Sequence, residues 1–300
     1  MRIRDKIKKP QRPFVAYEIL PPREKDGTLN SYAETISSLL SQTHIDAINI
    51  PEVHDEIGRG DRPISNQDRG EPRKFGMLLQ DIVGIEAIVN RVVVHMPFNK
   101  QMKWLEDTYA KYEIDNMIIV GGESSKQKYP GPTVNDTLSA ISNEFNNNIG
   151  SIFCGGICIP SRDKESKNLI KKSKCGAEFF TTQVLCDSDN IIKMINNYQN
   201  RCNAIGTFPR RILLSFAPVS NQKNIEFLKW LGVEIPSDTE KYLNGRPGSM
   251  TERSLDVAIE VLNEILDYIR NNNLKVPVGL NVEHIMSYNF QSSVEMLQEL

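Results

Sequence analysis

Two patterns alternate along these 300 residues: short runs rich in apolar and β-branched side chains, and longer runs whose apolar residues recur at helical spacing. The short runs cover residues 14–20, 46–50, 92–96, 117–122, 151–159, 179–185, 211–216 and 276–282. Helical spacing follows at 28–42, 74–83, 100–112, 133–145, 163–174, 189–201, 225–231 together with 251–269, and 292–300. A short apolar run bounded by turn residues reads as a buried strand, and strand-then-helix repetition calls for a parallel sheet with helical crossovers. Eight such units without a hydrophobic repeat of another period predict a closed (β/α)8 TIM barrel, an α/β fold forming one catalytic domain over residues 1–300. An open doubly wound sheet is the alternative. It is the weaker one, because no Gly-x-Gly-x-x-Gly follows the first strand and Gly121-Gly122 is not that fingerprint. Residues 53–73, polar and rich in Gly, Asp and Arg, form a long loop of the kind that serves a site or moves.

Charge and composition narrow the function classes. A net charge of -2 offers no basic surface for nucleic acid. Residues 1–9 lack the apolar core of a signal peptide, and no apolar run approaches the roughly 20 residues that cross a bilayer. A soluble cytoplasmic protein is expected. The five cysteines, Cys154, Cys158, Cys175, Cys186 and Cys202, are an odd number without paired spacing, which suits reduced thiols. Cys154-Gly-Gly-Ile-Cys158 is not a Cys-x-x-Cys clip and has no second clip after it, so it reads as strand and no metal is expected.

Barrel enzymes place their chemistry at the C-terminal ends of the strands, so polar residues there are informative. Glu18 lies in the apolar run closed by Pro21-Pro22. Burial disfavours the charged carboxylate, which makes Glu18 a candidate proton donor near neutral pH; the alternative is a Glu paired with a Lys or Arg. The other strand-end residues are Asn49, His95, Glu123, Gln183, Ser215, Asn281, Glu283 and His284. Carboxylates, neutral amides and histidine, with no Ser/His/Asp order and no His-x-x-x-His pair, point to acid-assisted chemistry on a hydrogen-bonding heterocycle. Each of them, the two histidines above all, has a plain alternative as a satisfied interior polar group. Glu165, Asn168 and Lys172 share one face of the helix at 163–174, with Arg162 just before it. That set suits a phosphate or diphosphate, or else is a solvated charged face.

Tyr17-Glu-Ile-Leu-Pro-Pro-Arg23, Gly121-Gly-Glu123, Asn168-Leu-Ile-Lys-Lys172, Gly176-Ala-Glu-Phe-Phe-Thr-Thr-Gln183 and Ala217-Pro-Val-Ser-Asn221 occur in this order. Together they resemble the catalytic barrel of the methylenetetrahydrofolate reductase family, over nearly the whole chain from Pro13 to the last helix. The first and fourth stretches are the most specific. The resemblance implies a (β/α)8 barrel that binds FAD, takes hydride from NAD(P)H and reduces 5,10-methylenetetrahydrofolate to the 5-methyl form by a ping-pong route. It implies that Glu18 is the general acid that opens the methylene bridge to an iminium ion, and that Glu123, an aspartate in the family, tunes flavin and pterin. Gln183 is implied as the pterin-binding amide, with Asn49 on the substrate side. Asn168 and Lys172 are implied as flavin contacts near the diphosphate, with Arg162 and Glu165 beside them and Tyr129 near the flavin.

The chain also departs from that family. Gln222 stands where bacterial members carry an aromatic that stacks on folate or nicotinamide, Ser161 or Arg162 replaces a histidine, and Gly121-Gly-Glu123 replaces Arg-Gly-Asp. Two other readings therefore stay open: a pterin-binding methyl-transfer module without redox activity, and a reductase that works without flavin or through a partner subunit. A methanopterin-type carrier is an alternative to folate, NADH and NADPH are both open as donor, and a homo-oligomer is expected.

Overall fold

In the computed structural model, which describes residues 1–54, 60–64, 69–122, 127–245 and 247–300, eight parallel strands pair in chain order and the last returns to the first. The strands are β1 (Val15–Ile19), β2 (Ala47–Ile50), β3 (Ala87–Val92), β4 (Asn116–Val120), β5 (Phe153–Cys158), β6 (Phe179–Val184), β7 (Arg211–Phe216) and β8 (Val278–His284). The helices are α1 (Ile3–Ile7), α2 (Leu29–Leu40), α3 (Pro72–Val83), α4 (Phe98–Tyr112), α5 (Val134–Ala140), α6 (Asn146–Asn148), α7 (Glu165–Lys174), α8 (Asp189–Ala204), α9 (Gln222–Trp230), α10 (Ser237–Leu243), α11 (Met250–Asn271) and α12 (Phe290–Glu299). The predicted closed barrel is the fold observed. Local chemistry starts and stops its helices: the Thr28 side chain accepts from Ser31 N ahead of α2, Ser249 and Glu252 cap α11 reciprocally, and left-handed Gly84 ends α3.

Successive residues of a strand face opposite sides, and here the two sides carry different chemistry. Outward residues such as Tyr17, Ile19, Ile48 and Ile50 join the large core between sheet and helices. Inward residues form layers. The lower layer is apolar, with Ala16, Ala47, Ile88, Ile118, Phe153, Phe179 and Leu213 in one cluster that Ile3 and Ile7 of α1 close from below. Phe153 and Phe179 stack at 5.4 Å, and a Cβ on Gly155 would sit 2.5 Å from the Phe179 ring, so the glycine makes room for it. One step higher, the inward positions turn polar on most strands. Cys154 and Cys158 belong to the outer core, where burial pushes the Cys154 thiol up to about 12.

The third strand lies earlier than its pattern suggests, at Ala87–Val92, and Val93–His95 is a single 3-10 turn. Asn90 and Arg91 interrupt the apolar run there, yet both are buried. Arg91 is satisfied by the Glu52 carboxylate and by Gln101 at 3.0 and 3.1 Å, which makes a charged residue tolerable in a core strand. The sequence pattern also misses α1 and α10, two short helices whose periodicity is too brief to register.

The segment bearing α1 is held under the barrel by Arg211. Only 2% exposed, this residue donates to the carbonyls of Ile7 (3.0 Å), Val278 (2.6 Å) and Lys9 (2.5 Å). Arg4 adds a bond to Ser151 Oγ at 2.7 Å, and Arg2 pairs with Glu86 at 3.2 Å. Replacing Arg211 by Met removes all three bonds and leaves the buried Ile7 carbonyl without its donor; urea unfolding should show a loss of about 3 kcal/mol. Amide exchange over residues 1–12 should accelerate in the same variant, and unchanged exchange there would refute this anchoring role.

Candidate active site

The polar layer is built by register. Glu18 pairs with Asn49 across β1 and β2 and with Glu283 across β1 and β8, so the three occupy one level of the barrel. Asn49 Nδ2 donates to Glu18 Oε2 at 2.6 Å, and Asn281 Nδ2 reaches the same oxygen at 3.4 Å. Asn281 also donates to Ser215 Oγ at 3.0 Å and to Glu283 Oε1 at 3.3 Å. Ser215 Oγ in turn donates to the Thr182 carbonyl at 2.9 Å and lies 3.3 Å from Thr181 Oγ1. Asn49, Asn281 and Ser215 are buried, Glu18 and Glu283 are partly so, and the hydrogen-bond partners of the Glu18 carboxyl are neutral amides.

That environment sets the proton affinity of the two acids. Burial pushes Glu18 up to about 7, against the opposing hydrogen bonds of Asn281 and Asn90. Glu283 is driven well above the usual carboxylate range, first by burial and then by the negative charge of Glu18, with Ser215 and Asn281 pulling the other way. Both carboxyls at the barrel mouth thus hold their protons more tightly than an exposed glutamic acid does.

Above this layer opens a cavity of about 320 Å³. Glu18, Asn90 and Glu283 reach it from the polar layer, Gly121 and Gly122 line it from the end of β4, Thr182 and Gln183 from β6, and Leu231 and Val233 from the segment after α9. Arg162 and Lys172 supply its cationic side. Lys172 Nζ donates to the Ile157 carbonyl and, at 3.3 Å, to Glu165 Oε1. Glu165 is 1% exposed and also accepts from Ile159 N at 3.3 Å and from Asn168 Nδ2 at 2.9 Å. The helix face at 165, 168 and 172 is therefore a knit group turned inward at Lys172, with Asn168 itself exposed.

The remaining predicted residues fall in different places. Gln183 lines the cavity while its Nε2 donates to the Leu231 carbonyl at 3.1 Å. Asn49 lies beneath the cavity, acting on Glu18. Tyr129 packs over Gly122, where a Cβ would come within 2.3 Å of its ring, and meets His95 edge-to-face at 5.6 Å. His95 itself is exposed on the turn after β3, its ring 4.7 Å from that of His54 and tilted by 44°. Gln222 is exposed on the first turn of α9 and is not among the cavity-lining residues, because the Asn221 side chain caps that helix and turns the next residue to solvent. His284, 2% exposed, faces outward against Phe290. Glu123 lies outside the described residues.

Among the cavity residues that escape the sequence reading are Asn90 and Glu52. Asn90 was hidden by the displaced third strand. Glu52 sits just past β2, fixed by Arg91 and by Val92 N at 2.9 Å; against the cost of its burial, His54 and Arg91 hold its carboxyl below the ordinary range. A carboxyl held below the ordinary range and two pushed above it thus face one cavity.

A family model described as methylenetetrahydrofolate reductase matches residues 2–297. Among solved structures, an uncharacterized protein from Clostridium thermocellum that binds two copies of 5-methyl-5,6,7,8-tetrahydrofolic acid superposes with a TM-score of 0.79 at 18% identity, covering 99% of this chain and 98% of that one. That likeness shows the shared barrel. A 2,3-dimethylmalate lyase covers 98% of this chain and 93% of its own at a TM-score of 0.45 and 11% identity. No curated protein matches the sequence. Among the described residues, no helix is long and apolar enough to cross a membrane.

The raised Glu18 has a consequence for stability. An unfolded glutamic acid loses its proton near 4.5, whereas the folded one keeps it to about 7. Between those values the folded state binds more protons, so the Glu18 contribution to stability falls as pH rises through that window, by about 3 kcal/mol. In Glu18→Gln this loss is absent. Urea unfolding should therefore show the variant gaining on the wild type between pH 5 and pH 8; a constant difference would show an acid of ordinary affinity.

Proposed function

Because the chain belongs to the methylenetetrahydrofolate reductase family, we propose that it reduces the methylene group of 5,10-methylenetetrahydrofolate, or of a related methylene-pterin carrier, to the methyl level, with FAD carrying hydride from NAD(P)H. The observation that carries this reading is Glu18: an acid with a proton affinity near neutral pH, held by amides at the floor of a cavity. A general acid works best when its pKa lies near the working pH. Glu18 donates its proton to the nitrogen that leaves the methylene bridge, the carbon–nitrogen bond breaks toward that nitrogen, and the other nitrogen's lone pair completes a cationic iminium. Hydride addition to the iminium carbon gives the methyl group. Gln183, an amide that both donates and accepts, suits the edge of a neutral pterin. That the C. thermocellum protein binds 5-methyl-5,6,7,8-tetrahydrofolic acid supports a folate as the ligand of this chain.

The donor set on the cationic side fits a flavin diphosphate. Arg162 and Lys172 both line the cavity, and an ammonium with three protons has one left after the Ile157 carbonyl and Glu165. Asn168, tied to Glu165, stands one turn earlier on the same helix. Bound there, FAD supplies the two-electron step between nicotinamide and substrate. Lys172 and Arg162 would hold its phosphates, and Tyr129 closes the wall at Gly122. The second reading, a pterin-binding module without redox activity, rests on the same lysine, whose charge is already countered by Glu165.

The spectrum of protein reconstituted with FAD separates the two. A yellow protein bleached by NADH or NADPH and reoxidised by methylenetetrahydrofolate supports the reductase; a colourless one with folate affinity supports the module. In the reductase, Glu18→Gln should slow reoxidation by the folate at least about a hundredfold while reduction by nicotinamide stays near wild type. Equal loss in both half-reactions would remove Glu18 from the acid role. Lys172→Ala should raise the Kd for FAD about tenfold, and an unchanged Kd would place the diphosphate elsewhere.

A further inference from the structure

Glu283 is left unused by that chemistry, although it stands in register with Glu18 on the adjoining strand and faces the same cavity. The hydrogen-bond count around the two acids is uneven. Asn281 Nδ2 has two protons, yet three acceptors lie within its reach: Glu18 Oε2 at 3.4 Å, Glu283 Oε1 at 3.3 Å and Ser215 Oγ at 3.0 Å. Were both carboxyls ionised, Glu18 would keep the Asn49 amide at 2.6 Å, while Glu283 would compete with Glu18 and Ser215 for the two protons of Asn281. A proton retained on one acid removes a charge and adds the missing donor. Like charges side by side in register over one shared amide repel, which favours a proton on one of them.

The other charged groups on the cavity leave this account unchanged. Glu52 is paired with Arg91, Lys172 with Glu165, and Arg162 lies on the α7 side. His54 is engaged with Glu52 at 3.2 Å. From β2, β7 and β8 the groups that reach the two acids are the neutral Asn49, Ser215 and Asn281.

We infer that Glu18 and Glu283 act as one carboxyl pair that carries no more than a single negative charge, Glu283 keeping its proton while Glu18 gives its own away. The inference deepens the proposed reaction and rests on that reading for its use. Before transfer the pair is neutral. When the Glu18 proton moves to the departing nitrogen, one carboxylate remains in the cavity opposite one substrate cation, and the charges balance. Glu283 is thus a positioning residue: it stays neutral, so the Glu18 carboxylate forms next to an O–H dipole and not next to a second anion. Solvent returns a proton to Glu18 once the methyl product has left.

The test needs neither flavin nor folate, so its outcome is independent of whether the protein is a reductase. Infrared difference spectra of the purified chain, recorded across pH in H2O and D2O, report protonated carboxyls through their carbonyl stretch. One buried acid should lose its proton near neutral pH and disappear in Glu18→Gln. A second should persist in the wild type above about pH 8 and disappear in Glu283→Gln. In Glu18→Gln the surviving Glu283 should titrate lower by roughly one unit or more, a tenfold or greater loss of proton affinity. If Glu283→Gln folds poorly, Glu283→Asp keeps the acid and should move its band without removing it. A wild-type spectrum without a protonated carboxyl at about pH 8, or a Glu283 titration indifferent to the Glu18 substitution, would overturn the pairing.

Discussion

A partly buried carboxyl group met by neutral amides is the interaction around which this barrel is arranged. Partial removal of Glu18 from solvent costs free energy in the charged form, and among the described residues its hydrogen-bond partners are neutral, the Asn49 and Asn281 amides. The result is an acid whose proton is available near neutral pH. An arginine in place of either asparagine would have produced an ordinary buried ion pair and a permanently ionised, chemically idle carboxylate.

The lower barrel makes that arrangement possible. Phe153, Phe179 and their apolar neighbours fill the bottom, Ile3 and Ile7 seal it, and Arg211 holds the seal by its carbonyls. Water is thereby kept out from below, and the polar layer opens toward the cavity alone. The same separation explains two buried charged residues elsewhere. Arg91 and Glu165 are tolerated because each is fully engaged, Arg91 by Glu52 and Gln101, and Glu165 by Lys172, Asn168 and the Ile159 amide. Both sets brace the walls of the cavity: Glu52 and Lys172 line it directly.

Much of this was legible in the residue order. The eightfold strand-then-helix alternation sets the barrel, and Glu18 stands out inside an apolar run that two prolines close. Legibility fails where a residue's role depends on a partner far along the chain. The third strand was displaced because Asn90 and Arg91 look like loop residues until Glu52 and Gln101 are seen to satisfy the arginine. Gln222 attracted a site role by its place after Ala217-Pro-Val-Ser-Asn221, but Asn221 spends its side chain capping α9 and leaves residue 222 in solvent. Asn168 and Lys172 read alike as helix-face residues, and only packing shows that Lys172 turns to the cavity while Asn168 stays outside.

From the sequence alone came the period of each segment, hence the fold class, and the place of Glu18 within its strand, since both are encoded within a few neighbouring residues. Tertiary structure decided that β8 returns to β1, bringing Glu283 beside Glu18 and Asn281 between them. It also decided which charged side chains turn inward. Hydrophobic period is a local property and can be read in a window of residues; desolvation and the meeting of two distant acids are properties of closure, and exist only once the sheet has joined its ends.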